Sequence, residues 1–210
     1  IQPMNLLFSI LLTVVTTFSN GTFHTNYSTP VNASAAECNE VVDEMIRCLQ
    51  NNPKMLSDKF FVGLGKQKDK SKNEFYLVWK ESTYVPSKQY SKIVLDVLVE
   101  DKPFLRDVVI ESTVKDATVG NKRTIRVDIS YAGNLIKSAY GNFHIEPTGA
   151  NTSKLSMDVH VTFGWFFRIF ISRRVYSNTV DWRLERFVTN MKLMAEGYTP
   201  TEAYWSTKKL

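Results

Sequence analysis

The stretch FFRIFISRRVYSNTVDWRLERFV, residues 166–188, decides the fold because it is compatible with two different secondary structures. As a β-hairpin with Asn178 and Thr179 in the loop, it pairs Val175 with Trp182, and both apolar rows face one side of a sheet. As a helix, it carries a stripe at 3.6-residue spacing that continues to Met194. We favour the hairpin, with a short helix after residue 189, although threonine suits the second loop position poorly.

The composition is that of an ordinary globular domain. The chain has 210 residues, of which 43% are hydrophobic and 22% charged, and its formal net charge is +5. The densest basic run lies at residues 65–72 and contains no aromatic side chain on which a base could stack. Nucleic acid is therefore not an expected partner.

Residues 1–19 are predicted to form a signal segment. Residues 6–15 are apolar apart from Ser9 and Thr13, a length that suits the core of a signal peptide and is short for a membrane span. The three residues before the first methionine, Met4, can be an expression or translation artefact. We expect a secreted, extracellular protein that begins near Asn20 or Gly21 and has no stable membrane span after signal removal. A retained membrane anchor is the alternative.

Four N-x-[ST] sequons agree with secretion, and they lie at Asn20, Asn26, Asn32 and Asn151. Three of them fall in residues 20–34, a polar stretch without hydrophobic periodicity that is predicted as a flexible, glycosylated lead-in. A single domain is expected over residues 35–197, followed by a C-terminal tail over residues 198–210.

A helix is predicted near residues 34–52, where Val41, Met45 and Leu49 follow helical spacing. The two cysteines of the chain, Cys38 and Cys48, both lie on it. Ten residues of helix span about 15 Å, whereas a disulfide requires Cα atoms within about 7 Å. We therefore expect no bond between them, and without matching histidines they do not form a zinc site.

The rest of the domain contains segments with helical periodicity and segments with the period of two that is typical of strands. Residues 53–64 indicate a short helix or turn, residues 74–85 a strand, and residues 87–98 a helix with Tyr90, Ile93 and Val97 on one face. From residue 107 the period becomes two, and four strands separated by turn residues follow. The expected fold class is α+β, with N-terminal helices packed on a curved antiparallel meander that encloses a cavity.

The segment FRIFISRRVYSNTVDWRL, from Phe167 to Leu184, resembles the closing hairpin of the nuclear transport factor two-like superfamily. That resemblance implies a cone-shaped α+β fold, and small secreted members are numerous in nematodes. If the C-terminal segment is helical, the chain instead resembles a helix-grip lipid-transfer domain of the steroidogenic-acute-regulatory type. That fold also curves a meander round a cavity and closes it with a C-terminal helix.

Catalytic signals are weak. Among the three histidines, His24 falls in the lead-in, and strand alternation turns His144 and His160 away from the core, where His144 can pair with Asp158. Phosphate-binding glycine motifs and the G-x-S-x-G nucleophile motif are absent from the sequence. We assign no catalytic residue, no metal site and no cofactor, and whether the protein is an enzyme stays open, with a non-enzyme favoured.

A binding function is favoured instead. In the hairpin, Arg173 shares a face with Ile169 and Val175, so it would anchor an anionic head group or extend outward to solvent. We predict a secreted, non-catalytic protein that holds a small apolar or amphipathic ligand in the cavity. The alternatives are a protein-interaction module that dimerises through the outer sheet face, a helix-grip lipid-transfer domain, and an enzyme with a cavity carboxylate or tyrosine. The predicted ligand-binding residues are Arg173, Phe163, Trp165, Phe167 and Trp182.

Overall fold

The computed structural model describes residues 14–51, 55–65, 75–99 and 102–207. Eight strands form one antiparallel sheet in the order β1-β2-β8-β7-β6-β5-β4-β3, so β2 pairs with the last strand rather than with the next one in the chain. The strands are β1 (Val15–Ser19), β2 (Thr22–Val31), β3 (Phe75–Val85), β4 (Tyr90–Val99), β5 (Lys102–Val119), β6 (Lys122–Tyr131), β7 (Ile136–Gly149) and β8 (Thr152–Phe163).

Within these ranges, four α-helices accompany the sheet. They are α1 (Ala35–Asn51), α2 (Trp165–Arg168), α3 (Arg173–Ala195) and α4 (Glu202–Thr207), with a π-helical turn at Leu56–Phe60 and a 3-10 turn at Pro86–Lys88. A capping box starts α1: the Glu37 carboxylate accepts from the backbone N–H of Ser34 at 2.7 Å, and the Ser34 hydroxyl oxygen accepts from the N–H of Glu37 at 3.3 Å. The cap also lowers the pKa of Glu37.

The sheet has a concave inner face that carries most of the apolar side chains. Register places Ile125 of β6 opposite Phe143 of β7, and Phe143 opposite Met157 of β8. Two hydrophobic clusters form on this side. The main cluster joins the sheet to α1 and to the C-terminal half of α3, and a second cluster contains Phe23, Phe163, Phe167 and Tyr176.

The predicted hairpin at residues 166–188 is wrong. The segment forms α2 and most of α3, and the Ser172 hydroxyl caps the N-terminus of α3 by accepting from the N–H of Val175 at 3.3 Å. The α+β class is confirmed, in the form given as the alternative, with a curved meander closed by a C-terminal helix. The quoted pattern from Phe167 to Leu184 is thus not the closing hairpin of a nuclear transport factor two-like fold.

The prediction that residues 20–34 form a flexible lead-in is also wrong. These residues form β2 and the β1–β2 turn, because alternate side chains such as Phe23, Tyr27 and Val31 are buried against the helices. The signal segment lies outside the described residues except for residues 14–19, and Val15–Ser19 is the edge strand β1. The C-terminal tail is ordered through α4, where Trp205 is buried.

Two further expectations have clear outcomes. The helix predicted at residues 87–98 is wrong, since Tyr90–Val99 forms β4, with Leu95 and Val97 buried on alternate positions of the inner face. Cys38 and Cys48 lie on α1 and are not bonded to each other, as predicted, and both are buried.

Candidate ligand-binding site

Helix α3 contacts the two sides of the curved sheet and stands away from its middle. Its closest backbone contacts are with β1, β2 and β8 on one side and with β3 at the opposite edge. The middle strands reach it through long side chains; the ring centroids of Phe143 on β7 and Phe187 on α3 are 6.2 Å apart. The space between α3 and the centre of the sheet is therefore spanned by side chains rather than by close backbone contact.

Apolar side chains that face this space are only partly buried. They lie on the inner face of β6 and β8, the two strands that flank β7, and we call them the concave face: Val127, Ile129, Met157, Val159 and Val161. Small residues deepen it, since Ala139 and Gly141 occupy the inward positions of β7 opposite Val161 and Val159. A Cβ atom placed at Gly141 would meet its nearest neighbour at 3.6 Å, which is ordinary van der Waals contact, so a methyl group fits there without a clash.

Three polar side-chain atoms of described residues on the inner side of the sheet lack a hydrogen-bond partner: Ser153 Oγ on β8 and two atoms of β3. The indole nitrogen Nε1 of Trp79 and the hydroxyl of Ser82 are buried without a hydrogen bond. Both belong to β3, where they pair in register with Leu95 and Ile93 of β4. A buried polar group without a partner costs about 1–3 kcal/mol, so these two atoms of β3 are candidates for a hydrogen-bond partner that the described residues do not supply.

The second hydrophobic cluster closes one end of the space. The rings of Phe23 and Tyr176 stack with centroids 4.1 Å apart, and the Phe163 ring meets the Phe23 ring edge-on at 6.0 Å. Phe167 of α2 completes the cluster, against the half-buried Leu105 and other aliphatic side chains. Ring pairs of these geometries add to the energy of burial.

A polar chain runs beside this cluster from α3 to the first two strands. The Thr16 hydroxyl donates to the Asp181 carboxylate at 2.5 Å and lies 2.8 Å from the Thr25 hydroxyl, which is 3.4 Å from the Tyr176 hydroxyl. Burial raises the pKa of Tyr176 to about 12. Burial also raises the pKa of Asp181, although hydrogen bonds from Thr16 and Ser177 oppose the shift. The chain fixes β1 to α3.

The predicted ligand-binding residues do not form one site. Phe163 and Phe167 meet in the second cluster. Trp182 is buried on α3, where its indole donates to the carbonyl of Asn178 at 2.8 Å, and the guanidinium of Arg183 lies over its ring at 4.3 Å. Trp182 therefore packs among arginine side chains rather than with Phe163 and Phe167.

Trp165 and Arg173 lie at the surface. Trp165 is 80% exposed on α2. Arg173 is the first residue of α3, and its guanidinium donates to the carbonyl of Thr16 at 2.9 Å. The inward orientation predicted for Arg173 depended on the hairpin and is wrong, because the helix turns this side chain toward β1.

The residues of the concave face were not predicted as a site, although the sequence contained a signal. Alternation places Met157, Val159 and Val161 on one face of a strand, and a glycine inside the neighbouring strand indicates missing side-chain volume. The partial exposure of these side chains could not be predicted, because it depends on how far α3 lies from the strands.

The outer face of the sheet carries all three histidines. The His160 ring stacks on Tyr140 at 4.2 Å and meets the His24 ring edge-on at 4.3 Å. His144 Nε2 lies 3.1 Å from the Asp158 carboxylate, which confirms the predicted surface pair. Burial, followed by the nearby His24, lowers the pKa of His160. Among the residues that the structure describes, no three histidine, cysteine or acidic side chains are grouped to hold a metal ion.

A separate cleft of about 480 Å³ lies between α1 and the C-terminal end of α3. Carboxylates dominate its walls, with Glu37, Glu40 and Glu44 on one side and Glu196 on the other. Charged groups resist transfer out of water, so this cleft does not suit an apolar ligand. Within the described ranges, none of the helices has both the length and the hydropathy that a membrane span requires.

Comparisons with known proteins agree with this architecture. No protein-family model and no curated protein matches the chain. Norcoclaurine synthase from Thalictrum flavum, solved with dopamine and hydroxybenzaldehyde, is 12% identical, with 90% of this chain and 91% of that chain covered and a TM-score of 0.51. A conserved protein from Geobacillus kaustophilus is 12% identical, with 84% and 97% covered and a TM-score of 0.52. A START superfamily protein from Mycobacterium smegmatis is 15% identical, with 83% and 97% covered and a TM-score of 0.49. The first two likenesses show a shared fold.

Proposed function

We propose that the protein binds a small apolar or amphipathic ligand between the concave face and α3. The observation that carries the proposal is the partial exposure of Val127, Met157 and Val159, which point inward on strands that are paired on both sides. Apolar surface that a fold leaves accessible on its inner side gains about 25 cal/mol for each Å² that a ligand covers. Pockets of this kind, apolar with a few polar groups, are the usual form of small-molecule sites.

An amphipathic ligand fits better than a fully apolar one. The unpaired Trp79 indole N–H and Ser82 hydroxyl can each donate a hydrogen bond, and a ligand with a carbonyl, carboxyl or hydroxyl group would satisfy them. The proposal is supported by norcoclaurine synthase, a protein of the same fold that was solved with two small aromatic molecules. The role is non-catalytic in our proposal, because all three histidines lie on the outer face, away from the ligand.

The ligand site can be tested by filling it. Gly141→Phe adds a ring to the concave face, whereas Ser130→Phe adds the same ring to an exposed position of the neighbouring strand β6. Displacement of a fluorescent fatty acid should weaken at least about tenfold in the Gly141 variant, since the ring occupies the site, and should be unchanged in the control. Native mass spectrometry of the purified protein should show a bound small molecule that the Gly141 variant has lost. If both variants fold and bind equally well, the ligand binds elsewhere or the proposed site does not exist.

We also propose that the protein is secreted and N-glycosylated. The proposal is supported by the sequon asparagines Asn20, Asn26, Asn32 and Asn151, all of which are exposed. Secretion from eukaryotic cells followed by glycosidase treatment should shift the protein to lower mass. N-terminal sequencing distinguishes a mature chain that retains β1 from one that begins near Asn20, which would lack β1, one of the two strands that pair with β2. Recovery of unglycosylated protein from the cytosol would contradict the proposal.

A further inference from the structure

Helix α2 and the residues after it form an exposed apolar projection, which we call the aromatic projection, residues 165–170. Trp165 is 80% exposed, Phe166 44%, Ile169 71% and Phe170 59%. Single exposed apolar side chains are common, but four within six residues are not, and contiguous apolar patches mark sites of interaction. The concave-face ligand site does not require these side chains, so they call for a separate explanation.

The aromatic projection is held firmly by the rest of the fold. Phe167 is buried within it, and its ring meets the Phe104 ring edge-on at 6.1 Å. The N–H of Gly164 donates to the carbonyl of Leu135 at 3.0 Å, and a Cβ at position 164 would overlap the carbonyl oxygen of Asn134. Only glycine therefore allows this close approach. The exposed side chains are displayed by an anchored segment rather than by a loose end.

Positive charge accompanies the exposed apolar side chains. Arg168 lies inside the segment, Arg173 and Arg174 follow it, and all three are exposed. No acidic residue occurs between residues 164 and 180. Tryptophan and phenylalanine beside arginine suit the boundary of a bilayer, where rings enter the interface and cations meet anionic head groups.

We propose that the aromatic projection docks onto the surface of an anionic phospholipid membrane. Trp165, Phe166, Ile169 and Phe170 enter the interfacial region, and the arginines contact the head groups. A second copy of the chain fits this surface less well, because a two-fold contact would bring the same three arginines of each copy together. The inference goes beyond the proposed ligand site and does not rest on it. It would place the second hydrophobic cluster, which closes one end of that site, next to the membrane.

Co-sedimentation with vesicles of phosphatidylcholine alone, or of phosphatidylcholine mixed with phosphatidylserine, tests the proposal, because anionic lipid attracts basic segments. Trp165→Ser combined with Ile169→Ser should weaken binding to the anionic vesicles more than about tenfold, since two interfacial side chains are lost. Arg168→Gln combined with Arg174→Gln should weaken it roughly 25-fold, or about fivefold per arginine, with no effect on neutral vesicles. Arg173 is left in place because it also binds Thr16.

Matched controls come from elsewhere on the surface. Val119→Ser removes an exposed apolar side chain at the opposite end of β5 from Phe104, and Lys92→Gln removes an exposed cation of β4; neither should change binding. Brominated lipid should quench the wild-type tryptophan emission more than that of Trp165→Phe. Analytical ultracentrifugation and thermal melts of each variant verify assembly and folding.

Three results would overturn the proposal. The first is a lack of vesicle binding by the folded wild-type protein. The second is a loss of binding in Val119→Ser or Lys92→Gln as large as in the variants of the aromatic projection. The third is a wild-type dimer that Trp165→Ser dissociates without any vesicle binding, which would make the surface a contact between copies. None of these outcomes depends on fatty-acid displacement, so failure here is distinguishable from failure of the proposed ligand site.

Discussion

Replacement of Asn190 by alanine should destabilise the fold more than any other single polar deletion on α3. Asn190 is completely buried, and its amide nitrogen donates to the carbonyls of Phe60 and Val62 at 3.0 and 2.8 Å. Its amide oxygen accepts from the indole of Trp205 at 2.9 Å. One side chain therefore joins α3 to the segment after the π-helical turn and to α4.

The magnitude follows from the groups that Asn190→Ala leaves behind. Two carbonyls and one indole N–H would stay buried without their partner, at about 1–3 kcal/mol for each such group. Each carbonyl retains a second lone pair, and water can enter the space left by the amide, so a total of about 3–5 kcal/mol is expected. A domain with a typical unfolding free energy of about 5–15 kcal/mol would lose a third or more of its stability.

Urea unfolding monitored by circular dichroism provides the measurement. Thr189→Ala, a substitution at the preceding residue, is the control and should change stability by less than about 0.5 kcal/mol. Trp205→Phe removes one hydrogen bond and also part of a buried ring that lies under the Arg186 guanidinium, so it should cost more than the hydrogen bond alone, which contributes about 1–2 kcal/mol. In the double variant the two losses should not add, because the residues share a bond. A loss below about 1 kcal/mol for Asn190→Ala, or strictly additive losses, would show that Asn190 does not organise this region.

Three further predictions concern charge and volume. Because the fold lowers the pKa of His160, stability should fall as pH drops below the ordinary value near 6.5. In urea unfolding, His160→Phe, which keeps a ring on Tyr140, should lose less stability than the wild type between pH 7 and 5. Identical losses would contradict this prediction. The raised pKa of Asp181 means that the contribution of this group to stability declines as pH rises through the ordinary value near 3.9. Asp181→Asn should therefore gain stability relative to wild type from pH 3 towards neutrality in thermal melts, and parallel curves would contradict the prediction. Gly141→Ala should stabilise by about 0.5–1 kcal/mol in urea, because the added methyl has room and alanine restricts the unfolded chain; a destabilised variant would show that the position is already filled.

Periodicity in the sequence predicted the parts of the fold that bury one face. Alternation over residues 107–163 matches β5 to β8, and helical spacing around Val41 and Met45 matches α1. Periodicity did not predict β4, because Ile93, Val94 and Val97 have the spacing of one face of a helix and interrupt the alternation of a strand. Both sides of β4 are partly covered there, so Val94 of the outer side is half-buried as well.

Only the chemical character of the site could be predicted from the sequence. An apolar inner strand face with Met157 and Val159 follows from alternation, and a glycine in β7 indicates lost volume. The open space depends on where α3 runs relative to β5, β6 and β7, a distance set by contacts at the two sides of the sheet. No local pattern encodes that distance. The predicted inward orientation of the Arg173 side chain was wrong for a related reason. The direction of a side chain at the first position of a helix depends on the cap and, here, on the contact with β1.

The error at residues 166–188 has a physical cause that also explains why Trp182 cannot distinguish the two structures. A helix with one covered face shows a clear apolar stripe, but α3 is covered on two sides. Val188 and Met191 join the main cluster beneath it, while Arg183 donates to the carbonyls of Leu64 and Gly65 on another side. Trp182 is therefore buried in the helix, as it would be in a hairpin. The informative signals lie at the ends instead, in the Ser172 cap and in Gly197, whose φ of 82° ends the helix in the left-handed conformation that favours glycine.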